Sequence, residues 1–75
     1  DITAEGNTIR LHHVLNDFDP KDVSNEDFRG ALKPDVCESD EVQAMFDHGL
    51  NVEYLYSIQS SNQTFLIPFT KADCQ

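Results

Sequence analysis

The fold is decided by the stretch Leu50-Asn51-Val52-Glu53-Tyr54-Leu55-Tyr56-Ser57-Ile58, in which apolar or aromatic residues occupy every second position. This period of two is typical of a β-strand with one face buried. Turn-forming residues 60–63 follow, and a second alternating segment covers residues 64–69. The two segments therefore predict an antiparallel β-hairpin. Pro68 lacks a backbone donor, so the end of the second strand is expected at a sheet edge.

Two segments before the hairpin predict helices that cover it, since a lone hairpin is marginally stable in water. The first covers residues 24–33, begins with a shortened capping box of Ser24 and Asp27, and is expected to end before Pro34. The second has Ser39 as its N-cap and ends at Gly49. Apolar residues at helical spacing mark the face that each helix buries: Phe28, Ala31 and Leu32 in the first, and Val42, Met45 and Phe46 in the second.

Residues 8–15 also alternate and predict a further strand, although a helix stays an alternative there. His12 and His13 are adjacent, so in a strand they point to opposite faces and cannot share a metal ion. Residues 1–7 are polar and are predicted to be poorly ordered. The predicted fold class is α+β: one domain over residues 1–75, with two short helices packed on an antiparallel hairpin of two or three strands.

Charge narrows the classes of partner. The chain has 75 residues, a formal net charge of -9 and a pI near 4.3. These values count against binding to nucleic acid or to anionic lipid, because both carry negative charge. Ten of the acidic residues lie between positions 17 and 47, against three basic ones. The acidic surface is therefore expected on the helices, where it either keeps the protein soluble or attracts a basic partner.

The two cysteines, Cys37 and Cys74, have three interpretations. A domain of this size needs extra stabilisation, and an even number of cysteines suits a disulfide in an oxidising compartment. Reduced buried thiols are the second alternative, and metal binding is the third. Zinc is disfavoured because neither cysteine has another Cys or His within four residues. No signal peptide and no apolar run of about 18 residues is visible, as expected for an exported protein in its mature form.

The sequence contains no recognisable catalytic or metal-binding motif. The segment Asp17-Phe18-Asp19-Pro20-Lys21-Asp22 has alternate carboxylates, but it lacks the glycine and the bidentate acid of a calcium loop. No nucleophile lies at a recognisable spacing from a base. The sequence therefore predicts no metal, no cofactor and no enzymatic activity, and an enzyme stays possible only if the cysteines are reduced.

The second half of the chain resembles a group of small exported proteins of Gram-negative bacteria. The resemblance rests on Cys37 before a short helix, on Gly49, on the strand Val52-Glu53-Tyr54-Leu55-Tyr56, and on the terminal Ala72-Asp73-Cys74. It implies a periplasmic or secreted location and a disulfide between Cys37 and Cys74. It carries no catalytic residue and leaves the function open.

Two functions are expected from these observations. The first is a periplasmic protein-binding module, such as an immunity or inhibitor protein, that docks on a basic cleft of a larger partner such as a cell-wall hydrolase. Its binding residues are predicted to be Glu38, Asp40, Glu41 and Asp47. The second is an accessory of envelope assembly, a pilotin-like helper or a homo-oligomer subunit, that uses the edge of the hairpin. The interface residues of this alternative are Tyr54, Tyr56 and Phe65.

Overall fold

The structure is a computed structural model that describes residues 2–16, 21 and 23–75. The described part contains four β-strands, two α-helices and a short terminal 3₁₀ helix. In chain order they are β1 (Ile2–Glu5), β2 (Thr8–Leu15), α1 (Asn25–Glu38), α2 (Asp40–Asp47), β3 (Asn51–Ile58), β4 (Gln63–Phe69) and the 3₁₀ helix (Lys71–Cys74). The segment weighed as a calcium loop lies, except for Lys21, outside the described residues.

The four strands form one mixed sheet in the order β1-β2-β3-β4. The hairpin of β3 and β4 is antiparallel as predicted, but β2 and β3 are parallel. The predicted fold class was therefore wrong, since the helices pack on a four-stranded mixed sheet and not on an antiparallel hairpin of two or three strands. The physical reason is the connection: both helices lie between β2 and β3 in the chain, and such a crossover returns the chain to the same end of the sheet. Alternation predicts which face of a strand is buried, but not which strand lies beside it.

Strand β1 was not predicted. It pairs antiparallel with β2, so that Ile2 lies opposite Leu11 and Glu5 lies opposite Thr8. The two-residue turn between the strands contains Gly6 at φ +57°, a conformation that glycine adopts without steric cost. This pairing holds β1 in the sheet, and Ile2 and Thr3 are residue types that favour strands.

Helix α1 begins as predicted but ends later. The capping box is present, because the Ser24 side chain accepts from the Asp27 N–H and the Asp27 carboxylate accepts from the Ser24 N–H. Pro34 was predicted to end the helix, and that boundary was wrong: α1 continues to Glu38 with Pro34 inside it. A proline removes one helical hydrogen bond, and the following turn is anchored by Val36, which is buried.

Helix α2 has the predicted limits. The Ser39 hydroxyl accepts from the Val42 N–H at 3.3 Å, and Gly49 closes the helix at φ +82°, in the left-handed region that favours glycine. Helices and hairpin together bury one hydrophobic core: Val36, Val42, Phe46, Val52, Ile58, Phe65, Ile67 and Phe69.

The disulfide between Cys37 and Cys74 is confirmed, with the two sulfur atoms 2.01 Å apart. It joins the last turn of α1 to the terminal 3₁₀ helix across a sequence separation of 37 residues. Both cysteines of the chain are used in this bond, so neither is available as a free thiol or a metal ligand.

Candidate functional site

The carboxylates predicted to bind a partner cluster where α1 meets α2. Glu38 is the last residue of α1, and Asp40 and Glu41 open α2, with the capping residue Ser39 between them. All three carboxylates are exposed; we call them the acidic junction. Asp47 lies at the other end of α2, roughly 10 Å along the helix axis, and its carboxylate is 3.3 Å from the Lys71 ammonium. The structure therefore groups three of the four predicted residues.

The acidic junction is not explained by helix stability alone. Acids at the start of α2 complement the helix dipole, but Glu38 stands in the last turn of α1, where a cation is favoured. That turn contains no basic residue. A residue that breaks a local rule of stability without a compensating contact is a candidate for function.

A second cluster consists of aromatic rings on the helix-bearing side of the sheet. The ring of His13 in β2 stacks on Tyr56 and Tyr54 of β3, with centroid distances of 5.4 and 6.3 Å. The ring of Phe28 in α1 stacks on Tyr56 at 5.2 Å. His13 is exposed and both tyrosines are partly exposed. We call His13, Tyr54 and Tyr56 the aromatic floor.

The charge of Asp35 in α1 acts on the tyrosines of this floor. Asp35 follows Phe28 by seven residues, which places both on the same side of α1, and its side chain is exposed. Burial raises the pKa of Tyr54, and the negative charge of Asp35 raises it further. The pKa of Tyr56 is raised by burial, by Tyr54 and then by Asp35. The negative charge of Asp35 thus disfavours ionisation of both phenols, in addition to their burial.

The helix layer covers only half of this side of the sheet, because α1 and α2 pack mainly on β4 and β3. One row of paired residues crosses all four strands, from Ile2 through Leu11 and Tyr54 to Ile67. Ile2 is 72% exposed and Ile67 is 1% exposed. On this side β1 is exposed along its length, whereas β2 is half-buried, with Leu11 and Leu15 packed against the core. We call this half of the sheet, formed by β1 and β2, the open half.

The residues predicted for the alternative interface have different positions. Tyr54 and Tyr56 belong to the aromatic floor, but Phe65 is 5% exposed and packs in the core against Phe28, at 4.8 Å between ring centroids. Phe65 thus presents little surface to a partner.

The outer edge of β4 is covered by side chains of α1. The Asn25 side chain donates to the Leu66 carbonyl oxygen at 3.3 Å, and the Arg29 guanidinium donates to the Pro68 carbonyl oxygen at 2.6 Å. Pro68 has no N–H to offer. The hairpin edge predicted for strand addition therefore has two of its acceptors already occupied and one of its donors missing.

The other side of the sheet carries paired polar groups. The Arg10 guanidinium contacts the Glu53 carboxylate at 2.7 Å, and a His12 ring nitrogen lies 2.7 Å from the Ser57 hydroxyl. His12 and His13 thus point to opposite faces, as predicted. A depression of about 360 Å³ is lined by Thr3, Ala4, Glu5, Thr8, Arg10 and Glu53. Since Arg10 and Glu53 neutralise each other, Glu5 gives this lining one net negative charge.

Residues 2–16, 21 and 23–75 contain no group of three or more His, Cys, Asp or Glu side chains placed to hold a metal ion. No helix among them combines the length and the apolar character needed to cross a bilayer.

Sequence reasoning missed Asp35 and Phe28 as neighbours of the tyrosines. The signal available was the helical spacing of the two residues, but only the packing of α1 across β3 and β4 brings that side of the helix to the tyrosines. His13 was placed on the apolar face of its strand, yet its contact with Tyr56 depends on the parallel pairing of β2 with β3.

The comparisons with known proteins identify a fold. No protein-family profile and no curated protein sequence matches the chain. The fold is similar to that of a crystal structure from Pseudomonas aeruginosa described as a "putative secreted protein", with a TM-score of 0.84 and 23% sequence identity. The similarity covers 99% of this chain and 68% of that chain. At this identity the likeness establishes a shared fold and no shared activity.

The periplasmic or secreted location expected from the sequence agrees with these findings. Disulfides persist in oxidising compartments and are rare in the cytosol, and the bond is closed here. The structural neighbour is described as secreted, which also accords with the resemblance to small exported Gram-negative proteins.

Proposed function

We propose that the protein is a non-enzymatic, extracytoplasmic binding module whose acidic junction docks on a basic surface of a partner protein. The observation that carries this proposal is the concentration of exposed carboxylates at Glu38, Asp40 and Glu41, on a chain whose strands are nearly neutral. An immunity or inhibitor protein that covers the basic cleft of an enzyme such as a cell-wall hydrolase fits this distribution of charge.

The acidic junction is expected to act mainly on the rate of association with the partner. Carboxylates on one side of a molecule attract a basic partner at long range, orient it and raise the association rate. Exposed ion pairs contribute little to affinity by themselves. The acidic junction therefore steers the partner and fixes its register, and other contacts retain it.

Capture from a Gram-negative envelope extract tests the proposal when matched variants are compared. The oxidised wild type is immobilised beside E38Q/E41Q, which removes two charges from the acidic junction, and E5Q/E26Q, which removes two charges elsewhere. We expect a basic protein that is retained by the wild type and by E5Q/E26Q but is lost from E38Q/E41Q. If every retained protein binds all three forms equally, the acidic junction does not bind a partner.

The assembly function has less support. Strand addition at the hairpin requires free backbone groups on β4, and Asn25 and Arg29 occupy two of its carbonyl oxygens. The opposite edge strand, Ile2–Glu5, is exposed along its length. Self-association through β1 is the remaining route to a homo-oligomer, and sedimentation at increasing protein concentration measures it.

A further inference from the structure

The open half and helix α1 form a step. An α-helix is roughly 10 Å in diameter, so α1 on β4 and α2 on β3 stand above the half-buried β2 and the exposed β1. The foot of the step is the aromatic floor, and Asp35 lies on the helix beside it. Apolar side chains continue across the open half, from Leu11 to Ile2, which is 72% exposed.

The charge at this step is unbalanced. Among residues 2–16, 21 and 23–75, the salt bridges join Arg10 to Glu53, Arg29 to Asp73 and Lys71 to Asp47, and none includes Asp35. Lys33 does not compensate Asp35, because side chains two positions apart in a helix do not face each other. Lys33 instead lines the surface around the disulfide. Asp35 is thus an exposed carboxylate on the side of α1 that carries Phe28, and no salt bridge within the described part of the chain neutralises it.

This combination has a known preference in proteins. Aromatic rings attract a cation through their quadrupole, and the attraction is stronger where the cation is partly removed from water. A carboxylate next to the rings adds a direct counter-charge. We infer that the aromatic floor and Asp35 bind a lysine or arginine side chain, carried by an extended basic segment of the partner whose apolar residues cover Leu11 and Ile2.

The inference rests on the proposed function, since it names a second contact for the same basic partner. The two surfaces are continuous: Glu38 follows Asp35 by three residues, one turn further along the same side of α1. A row of carboxylates therefore leads from the acidic junction to the aromatic floor. Charge complementarity favours a basic segment over a neutral one. The side chains of an extended segment alternate between two faces, which suits a partner that carries apolar residues on either side of the cation.

The chain supplies its own reporter for this site. It contains two tyrosines and no tryptophan, so near-ultraviolet tyrosine absorption reports on Tyr54 and Tyr56 alone. The probe is a synthetic extended peptide without aromatic residues that carries one central lysine between leucine and valine. A second peptide replaces that lysine with glutamine. The oxidised protein is titrated with each peptide while the tyrosine difference spectrum is recorded.

We expect the lysine peptide to produce a saturable spectral change and D35N to weaken its binding about fivefold or more. The control E26Q changes the net charge equally at the far end of α1 and should leave the affinity within about twofold. Tyr54→Ala removes one ring of the aromatic floor and should weaken binding, while Tyr56 remains as the reporter.

Four outcomes overturn the inference. Equal binding of the lysine and glutamine peptides would show an apolar surface without cation selectivity. Equal effects of D35N and E26Q would show attraction by net charge alone. A spectral change that depends on protein concentration without peptide would show that a second copy covers the floor. Absence of any spectral change, with capture still dependent on Glu38 and Glu41, would reject the aromatic site and leave the acidic junction standing.

Discussion

Arg29 of α1 forms an ion pair with Asp73 of the terminal 3₁₀ helix, and the same guanidinium donates to the Pro68 carbonyl oxygen. The Arg29 guanidinium also lies over the Phe69 ring, 4.8 Å from its centroid. The Asp73 carboxylate accepts from the Thr70 N–H at 2.7 Å. One arginine thus ties the helix, the last strand and the chain segment that carries Cys74 into a single unit.

The first prediction concerns pH. The hydrogen bond from the Thr70 backbone, followed by the contacts with Arg29, lowers the pKa of Asp73 below its ordinary value, although partial burial opposes this. A carboxyl whose folded pKa is lowered stabilises the fold above its unfolded pKa and loses that contribution as the pH falls through the folded pKa. We expect D73N to be less stable than the wild type at pH 7, by about 1 kcal/mol for this partly exposed group.

Urea unfolding at several pH values measures this difference. It should start to shrink as the pH falls below about 4, because the carboxyl of the unfolded wild type then takes up a proton, and it should disappear once the pH lies below the lowered pKa of the folded carboxyl. D40N, which neutralises an exposed acid at the start of α2, is the control for overall charge. A stability difference between D73N and the wild type that stays constant from neutral to strongly acidic pH would contradict the account.

The second prediction concerns the disulfide. Reduction, or the double variant C37A/C74A, releases a loop of 37 residues, and the chain-entropy estimate for such a loop is about 4 kcal/mol. A domain of this size has a net stability of about the same magnitude. We expect the reduced protein to be largely unfolded at 37 °C by circular dichroism. A reduced protein with an unchanged urea midpoint would show that the bond is dispensable.

The third prediction concerns Pro34, which lies inside α1. An alanine there would restore a helical hydrogen bond, and a proline in a helix interior costs about 3 kcal/mol relative to alanine. Proline also restricts the unfolded chain by about 1 kcal/mol, which offsets part of that cost. We expect P34A to stabilise the oxidised protein by about 2 kcal/mol in urea unfolding. Destabilisation by P34A would mean that the helix requires the local geometry that the proline imposes.

The fourth prediction concerns the tyrosines. Spectrophotometric titration should give midpoints above the ordinary value of 10.0 for both phenols. Since burial and Asp35 both disfavour the phenolate, stability should fall as the pH rises through the unfolded pKa of the tyrosines. D35N should lower the titration midpoints, whereas E26Q should not. Identical midpoints in D35N and the wild type would place Asp35 too far away to bind the same cation as the rings.

The parts of the fold that depend on local chemistry could be predicted from the sequence. Ser24, Ser39 and Gly49 mark helix ends through their own hydrogen bonds or backbone conformation, and the period of two along β3 marks its buried face. The sequence could not predict the parallel pairing of β2 with β3 or the existence of β1, because strand order depends on contacts between distant segments. Pro34 shows a third limit: a strong local preference for ending a helix was overridden by burial of Val36 and by the disulfide at Cys37.

The sequence likewise predicts some parts of the candidate site and not others. The acidic junction could be predicted because acidic residues are identified directly from the sequence and their ionised side chains are rarely buried. The aromatic floor could be predicted only in part, since Tyr54 and Tyr56 were recognised but Asp35 and His13 reach them only through the packing of α1 and β2. Phe65 was grouped with the tyrosines because all three alternate on hairpin strands, and only the covering helix distinguishes the buried ring.

The most direct test of the central claim is the association rate of the basic protein retained in the capture experiment, measured at increasing salt concentration. Steering by the acidic junction predicts that this rate falls about tenfold or more between about 20 and 200 mM salt, while dissociation changes little. E38Q/E41Q should associate more slowly at low salt and should respond less to added salt. An association rate that does not change with salt would contradict the claim that these carboxylates direct the protein to its partner.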